Sequence, residues 1–159
     1  MDNNASLLWQ VRAFVYNHFA DTALPPSVED AAQHFNISIE EASEMYEELH
    51  NRHAFFLEPE TLTVRMAWPF SAVPTIFKVH ANGKTYYANC AWDMLGIPVL
   101  LQRAAILEAV CTESNEAVRL EVKNGKIVQG IAAEDGGSSS LLVHFPLPFA
   151  RWYDDVVFT

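Results

Sequence analysis

Two Asn-Gly dipeptides, Asn82-Gly83 and Asn124-Gly125, constrain the fold of this 159-residue chain more than any other feature. Each stands between short runs rich in β-branched and aromatic residues. Asn-Gly supplies the two positive-φ residues of the tight turn that joins antiparallel strands without splaying them. The first predicts a hairpin of strands Thr75–His80 and Lys84–Ala88. The second predicts a hairpin of strands at 117–122 and 126–132, with another strand before it at 106–111. The second half is therefore expected to be a mixed or antiparallel sheet. One helix interrupts it, at about 90–104, and Pro98 is expected to kink that helix or to end its first part. Residues 134–140 read as a flexible loop by composition, and Leu141–Phe145 as a last strand.

The first half follows a different period. Leu7, Leu8, Val11, Phe14, Val15 and Phe19 recur at helical spacing and predict a helix over 6–20. Leu24-Pro25-Pro26 ends it. Ser27, with Asp30 three residues on, starts a short helix through Phe35. Asn36 and Ile37 turn the chain, and Ser38 with Glu41 reads as a capping box for a third helix over 39–51. Ala54–Leu57 and Thr61–Trp68 then predict two strands around Pro59-Glu60, and Pro69 to Pro74 a linker. The expected division is 1–70 and 75–159. The expected class is α+β: a winged-helix-like three-helix domain, then a sheet core with a kinked helix.

A winged helix ordinarily places its third helix in a DNA groove. Here that helix carries Glu40, Glu41, Glu44, Glu47 and Glu48, with Arg52 only at its end. Such a helix repels phosphates. It is read as a solvated face of a structural or partner-docking module, and no nucleic-acid partner is expected. The whole-chain balance agrees: ten Lys plus Arg against twenty Asp plus Glu give a formal charge of −10. That charge also opposes docking on anionic membranes. No apolar run approaches the roughly 20 residues of a membrane helix, and Met1–Ser6 lacks a signal peptide's basic start. Two cysteines, Cys90 and Cys111, make no disulfide framework, so a cytoplasmic protein is expected.

Chemistry concentrates in Tyr86-Tyr87-Ala88-Asn89-Cys90-Ala91-Trp92-Asp93. Asn89 is the expected N-cap, which puts Cys90 in the first helical turn. A helix N-terminus stabilises negative charge, so a thiol with lowered pKa is expected there. Asp93, three residues on, shares its helix face. A thiolate beside a carboxylate suits capture of a soft metal together with proton transfer. The same spacing occurs in many helices, and a buried structural cysteine with a capping aspartate is the plainer reading of these residues alone. Cys111, beside Val110, reads as a buried β-strand cysteine. His50, His53, His80 and His144 show no metal-ligand spacing and read as surface or packing residues. Trp68, Trp92 and Trp152 read as core, with an apolar pocket for an organic group as the sharper alternative.

The run Phe77-Lys78-Val79-His80, continued by Tyr86-Tyr87-Ala88-Asn89-Cys90-Ala91-Trp92-Asp93-Met94-Leu95-Gly96-Ile97-Pro98, resembles a segment of the organomercurial (alkylmercury) lyases. In that family the segment holds the first catalytic cysteine and the catalytic aspartate. The shared pattern is an aromatic strand end, Cys, two residues, Asp, then an apolar helix broken by proline. Cys111 lies where the family has a structural cysteine on a strand, Val118–Val122 continues the likeness, and a winged-helix-like N-terminal domain also belongs to it. The resemblance implies an organomercurial substrate and no cofactor. Two thiolates bind mercury and weaken its bond to carbon, and the aspartate protonates the departing carbon. Cys90 would be nucleophile and first mercury ligand. Asp93 would be the proton shuttle, which requires a raised pKa or a proton passed from the thiol. Hg(II) would be the bound product, handed on to another thiol protein.

The family uses a second catalytic cysteine late in the chain, and here none follows Cys111. Matching Val143–Pro148 to the corresponding family strand leads to Trp152–Thr159, which in relatives runs into that cysteine. Val156-Val157-Phe158 reads as a strand entering a core, so a shortened chain is the expectation, with a natural relative lacking the thiol as the alternative. With one thiolate, an external thiol would supply the second ligand. Three readings follow: an alkylmercury lyase, a non-catalytic mercury or soft-metal binder, and a winged-helix regulatory or docking protein. The Cys90–Asp93 pair favours the first and the missing cysteine the second.

Overall fold

In the computed structural model, which describes residues 3–132, 142–145, 148 and 151, Leu8, Val11, Val15 and Phe19 are buried along one stripe of α1 (Asn3–Thr22). The helix starts earlier than its apolar stripe, because nothing in Asn3-Asn4-Ala5 breaks it. The chain divides into two units, Met1–Val73 and Pro74–Thr159.

In the first unit, the expected capping box at Ser38 is made, and the expected N-cap at Ser27 is a capping box as well. Ser27 accepts the Asp30 N–H at 3.0 Å and returns its own N–H to the Asp30 carboxylate at 2.8 Å, opening α2 (Val28–Phe35). Ser38 and Glu41 do the same at 3.1 and 3.0 Å for α3 (Ile39–Asn51). Asn36 ends α2 in the left-handed conformation, φ 53°. Tyr46 of α3 is fully buried, and its hydroxyl donates to the Ser27 carbonyl at 3.1 Å. Burial and the nearby charges of Asp30 and Glu29 push that phenol's pKa up. Among the α3 charges, Arg52 is paired with Glu48 at 2.6 Å.

Three short antiparallel strands follow: β1 (Phe56–Leu57), β2 (Val64–Ala67) and β3 (Phe70–Ser71). The last corrects the expectation of a linker at Pro69–Pro74. Ala67 pairs with Phe70 and Met66 with Ser71. Phe70 is buried and stacks on Phe19 of α1 at 5.3 Å between centroids, so core packing recruits the segment into the sheet.

The second unit holds an antiparallel sheet in the order β5-β4-β6-β7-β8, formed by β4 (Phe77–Ala81), β5 (Lys84–Ala88), β6 (Ala105–Val110), β7 (Ala117–Lys123) and β8 (Lys126–Ala132). Both Asn-Gly turns form with positive φ at both residues. Register puts Tyr86, Val79, Leu107 and Leu120 in one buried row. The opposite face is polar: His80 links Thr85 at 3.0 Å to Glu108 at 3.1 Å, and Glu108 also pairs with Arg119. The buried face packs against α4 (Ala91–Leu101) through Met94, Ile97 and Pro98.

α4 ends sooner than expected, at Leu101, with Gln102 in the left-handed conformation, its N–H returning to the Val99 carbonyl and the Arg103 N–H to the Pro98 carbonyl. It runs through Pro98 to its last turn. The expected strand at Leu141–Phe145 is not seen: residues 142–145 have no strand structure and are exposed, so they gain none of the cross-strand burial that an apolar strand needs. The 134–140 loop and Trp152–Thr159 lie outside the described residues.

Candidate functional site

β5 delivers the chain to the start of α4. Thr75, just before β4, donates its hydroxyl to the Ala88 carbonyl at 2.6 Å and receives the Phe77 N–H at 3.2 Å, tying the end of β5 to the beginning of β4. Two residues past that clamp, Cys90 adopts extended backbone (φ −145°, ψ 173°) and is itself the N-cap. This corrects the expectation that Asn89 caps the helix and that Cys90 lies in its first turn. Cysteine is a weak N-cap by type, which is why the sequence favoured Asn89. The site uses the sulfur as the capping acceptor: Cys90 Sγ receives the Asp93 N–H at 3.4 Å. The Cys90 carbonyl takes the Met94 N–H at 3.0 Å and starts the helical ladder.

Cys90 and Asp93 are thus brought together, both half-buried. Their electrostatics differ from the expectation of a lowered thiol pKa. Burial, then the Asp93 charge, push the Cys90 thiol up to about 11, against smaller opposing contributions from the Asp93 and Trp92 backbone N–H groups. Desolvation and a neighbouring carboxylate outweigh the helix end. Burial also pushes the Asp93 carboxyl up to about 6, moderated by a hydrogen bond from Cys90. At neutral pH the pair is therefore a protonated thiol beside an ionised carboxylate, with the proton resting on sulfur.

Cys111 is not a buried strand residue. β6 stops at Val110, and Cys111 is half-exposed at the β6–β7 turn, where its N–H donates to the Glu116 carbonyl at 2.9 Å. Ser114 and the backbone N–H groups of Ser114 and Glu113 hold that thiol below its ordinary pKa, while the Ser114 hydroxyl itself donates to the Glu116 carboxylate at 2.8 Å. His50 and His53 pack on Phe56 as expected, and His144 is exposed. Trp68 meets Phe56 edge-on at 4.9 Å. Trp92 departs from the core reading: it is 58% exposed. Thr75 escaped sequence reasoning altogether, since only the register of β4 against β5 brings it to Ala88.

Among the described residues no group of three His, Cys, Asp or Glu side chains could hold a metal ion, and no helix is long and apolar enough to cross a membrane. Two surface cavities of about 450 and 510 Å³ lie elsewhere. One runs along His80, Lys84, Thr85 and Glu121, the other along Phe14, His18 and His34.

The family model for MerB, alkylmercury lyase, matches residues 70–158. The alkylmercury lyase of Staphylococcus epidermidis (strain ATCC 12228 / FDA PCI 1200) is 28% identical over 104 residues, covering 65% of this chain and 46% of that protein. The alkylmercury lyase of Bacillus cereus is 38% identical over 56 residues, 35% of this chain and 26% of that one. The chain thus matches less than half the length of these curated relatives. Among solved structures, the mercury-bound form of MerB2 superimposes with a TM-score of 0.63 at 18% identity, covering 80% of this chain and 64% of that one. That likeness concerns the fold and agrees with an α+β architecture. Because the family match at 70–158 takes in more than half of the sequence and includes both halves of the thiol–carboxyl pair, the chain belongs to the alkylmercury lyase family.

Proposed function

We propose that this chain cleaves carbon–mercury bonds by protonolysis, releasing a hydrocarbon and Hg(II), with Cys90 as nucleophile and mercury ligand and Asp93 as proton carrier. The observation that supports this most is the hydrogen-bonded Cys90–Asp93 pair at the head of α4, a protonated thiol on a carboxylate whose pKa is about 6. As an organomercurial cation binds sulfur, the S–H proton passes to the Asp93 carboxylate and the S–Hg bond forms. The Asp93 proton then goes to the carbon, the electron pair of the C–Hg bond becomes the C–H bond, and mercury stays on sulfur as Hg(II). Asp93 returns to carboxylate. A small external thiol donates the second sulfur and carries Hg(II) away, ultimately to a thiol protein, in a reducing compartment such as the cytoplasm.

A non-catalytic mercury binder is the second reading. It is favoured by the cysteine count: besides Cys90 the sequence offers only Cys111, whose sulfur is engaged in the β6–β7 turn. The helices and hairpin of the first unit suit a winged-helix-like structural or docking module under either reading. Incubation with phenylmercury and excess small thiol, with benzene measured in the headspace, separates the two. Release by the native chain, lost in both Cys90→Ser and Asp93→Asn while Asp93→Asn still binds mercury, supports the lyase. Binding without release supports the binder. No release together with undiminished binding by Cys90→Ser sinks both.

A further inference from the structure

α1 carries its aromatic residues on two faces, and only one of these belongs to the core. Leu8, Val11, Val15 and Phe19 form the buried stripe. Phe14 lies off it, half-buried, on a face shared with Asn17, His18 and Asp21 at spacings of three and four residues. The end of α2 brings His34 and Phe35 against that face. Phe14 and His34 stack with centroids 4.5 Å apart at 28°, and Phe35 stands edge-on to both, at 5.7 and 4.7 Å. His18 meets Phe14 edge-on at 5.9 Å. These four rings, with Asn17 and Asp21, line the surface cavity of about 510 Å³, which lies within the first unit.

Packing alone does not account for this cluster. His34 is exposed and Phe14, His18 and Phe35 are half-buried, so the rings border open space instead of filling it. A concave site of this volume, aromatic in lining with a few polar groups, suits a small molecule better than a protein segment. Its charge selects the ligand. Asp21 lines the cavity, and no Lys or Arg does. Asp30, at the head of α2, is within electrostatic reach of His18 and adds a second negative charge near this end. We infer that the groove between α1 and the end of α2 binds a flat aromatic cation. The faces of Phe14 and Phe35 attract a delocalised positive charge and stack with the ring that carries it, and the Asp21 carboxylate supplies the counter-charge. An anion meets Asp21 with no lining cation to offset it. A neutral ring gains the stacking and leaves the carboxylate unused. Cys90, in the second unit, takes no part.

Fluorescence titration of the full chain with N-methylacridinium, and with neutral acridine at pH 8, tests this. The cation should bind saturably and more tightly than acridine. Asp21→Asn should weaken the cation about twofold to fivefold, the size of one exposed charge interaction, and leave acridine unchanged. Phe14→Leu should weaken both about threefold to tenfold by removing one aromatic contact, and Phe14→Tyr should keep both. Asp21 is exposed, so its variant reads the charge even where Phe14→Leu disturbs the fold. Glu44→Gln takes one charge from the exposed face of α3 and should change neither ligand. Cys90→Ser should bind as the native chain does. Equal affinity for the cation and acridine, or equal effects of Asp21→Asn and Glu44→Gln, overturns the choice of a cation. No saturable binding by the native chain, undiminished binding by a folded Phe14→Leu chain, or loss in Cys90→Ser overturns the site.

Discussion

Cys90 caps the helix that carries Asp93: its sulfur receives the Asp93 N–H at 3.4 Å while its own proton is held by the Asp93 carboxylate. The arrangement keeps the sulfur protonated at neutral pH, as the proposed function requires of a nucleophile that waits for its proton to be displaced. A soft metal cation displaces it directly, because the S–H bond is exchanged for a bond to the metal and the carboxylate stands ready for the proton.

The two thiols should therefore react in an order opposite to a simple helix-dipole argument. Cys90 titrates near 11, whereas Cys111 is held below the ordinary thiol range by Ser114 and Glu113. At pH 8, iodoacetamide should modify Cys111 well before Cys90, since the thiolate is the nucleophile. The Cys90 rate should climb with pH through about 11. Asp93→Asn should raise it at pH 8 by removing the neighbouring charge. Peptide mass spectrometry on timed samples reads both rates; native Cys90 reacting as fast as Cys111 would contradict the account.

Asp93 also has a cost in stability. Its folded pKa is raised from 3.8 to about 6, chiefly by burial. The folded state thus holds the proton more tightly than the unfolded one. That stabilisation is full below pH 3.8 and is lost as pH rises through about 6. Above it, the fold carries a charge that it disfavours. Asp93→Asn should then stabilise the chain at pH 8 by ~1–2 kcal/mol, a figure discounted for partial exposure, and by less at pH 4.5. Urea unfolding at the two pH values checks the sign; a gain larger at pH 4.5 would reverse it.

The elements legible in the sequence were those with a local physical cause. Ser27 with Asp30, Ser38 with Glu41 and the two Asn-Gly turns each satisfy their own backbone within a few residues, and all four stand where local rules put them. The Cys90–Asp93 pairing was equally local, because three residues of helix bring the side chains together. What escaped was set by tertiary context. Phe70 looked like linker because Pro69 and Pro74 flank it, but its ring has a place against Phe19. The thiol's pKa direction was missed because burial depends on what α4 packs against. Cys111 was misread because the strand ends one residue before it.

The capping boxes give a measurable check on the first unit. Ser27→Ala removes the acceptor for the Asp30 N–H and Ser38→Ala that for the Glu41 N–H. Each should cost ~1 kcal/mol in urea unfolding. Glycine at either position should cost only a few tenths, because its backbone reaches the extended N-cap conformation and lets water replace the hydroxyl.

The β4–β5 hairpin separates what holds the sheet from what positions the thiol. At its turn, Gly83 has φ +71° with nothing within 4 Å of where a Cβ would stand. Gly83→Ala therefore meets no steric neighbour and should lower unfolding stability by ~1–2 kcal/mol through backbone strain alone. The turn lies at the far end of the hairpin from Cys90, so the native alkylation rate of that thiol should be unchanged. Thr75 lies at the near end, where its hydroxyl clamps the Ala88 carbonyl at 2.6 Å. Thr75→Val keeps the branched shape and removes the hydroxyl that donates to the carbonyl of buried Ala88, two residues before the N-cap. It should cost ~1 kcal/mol and also speed Cys90 alkylation, because the cap loosens as the strand end does. Equal alkylation in the two variants would mean that the strand end does not position the thiol, and that the α4 ladder beginning at the Cys90 carbonyl does so alone.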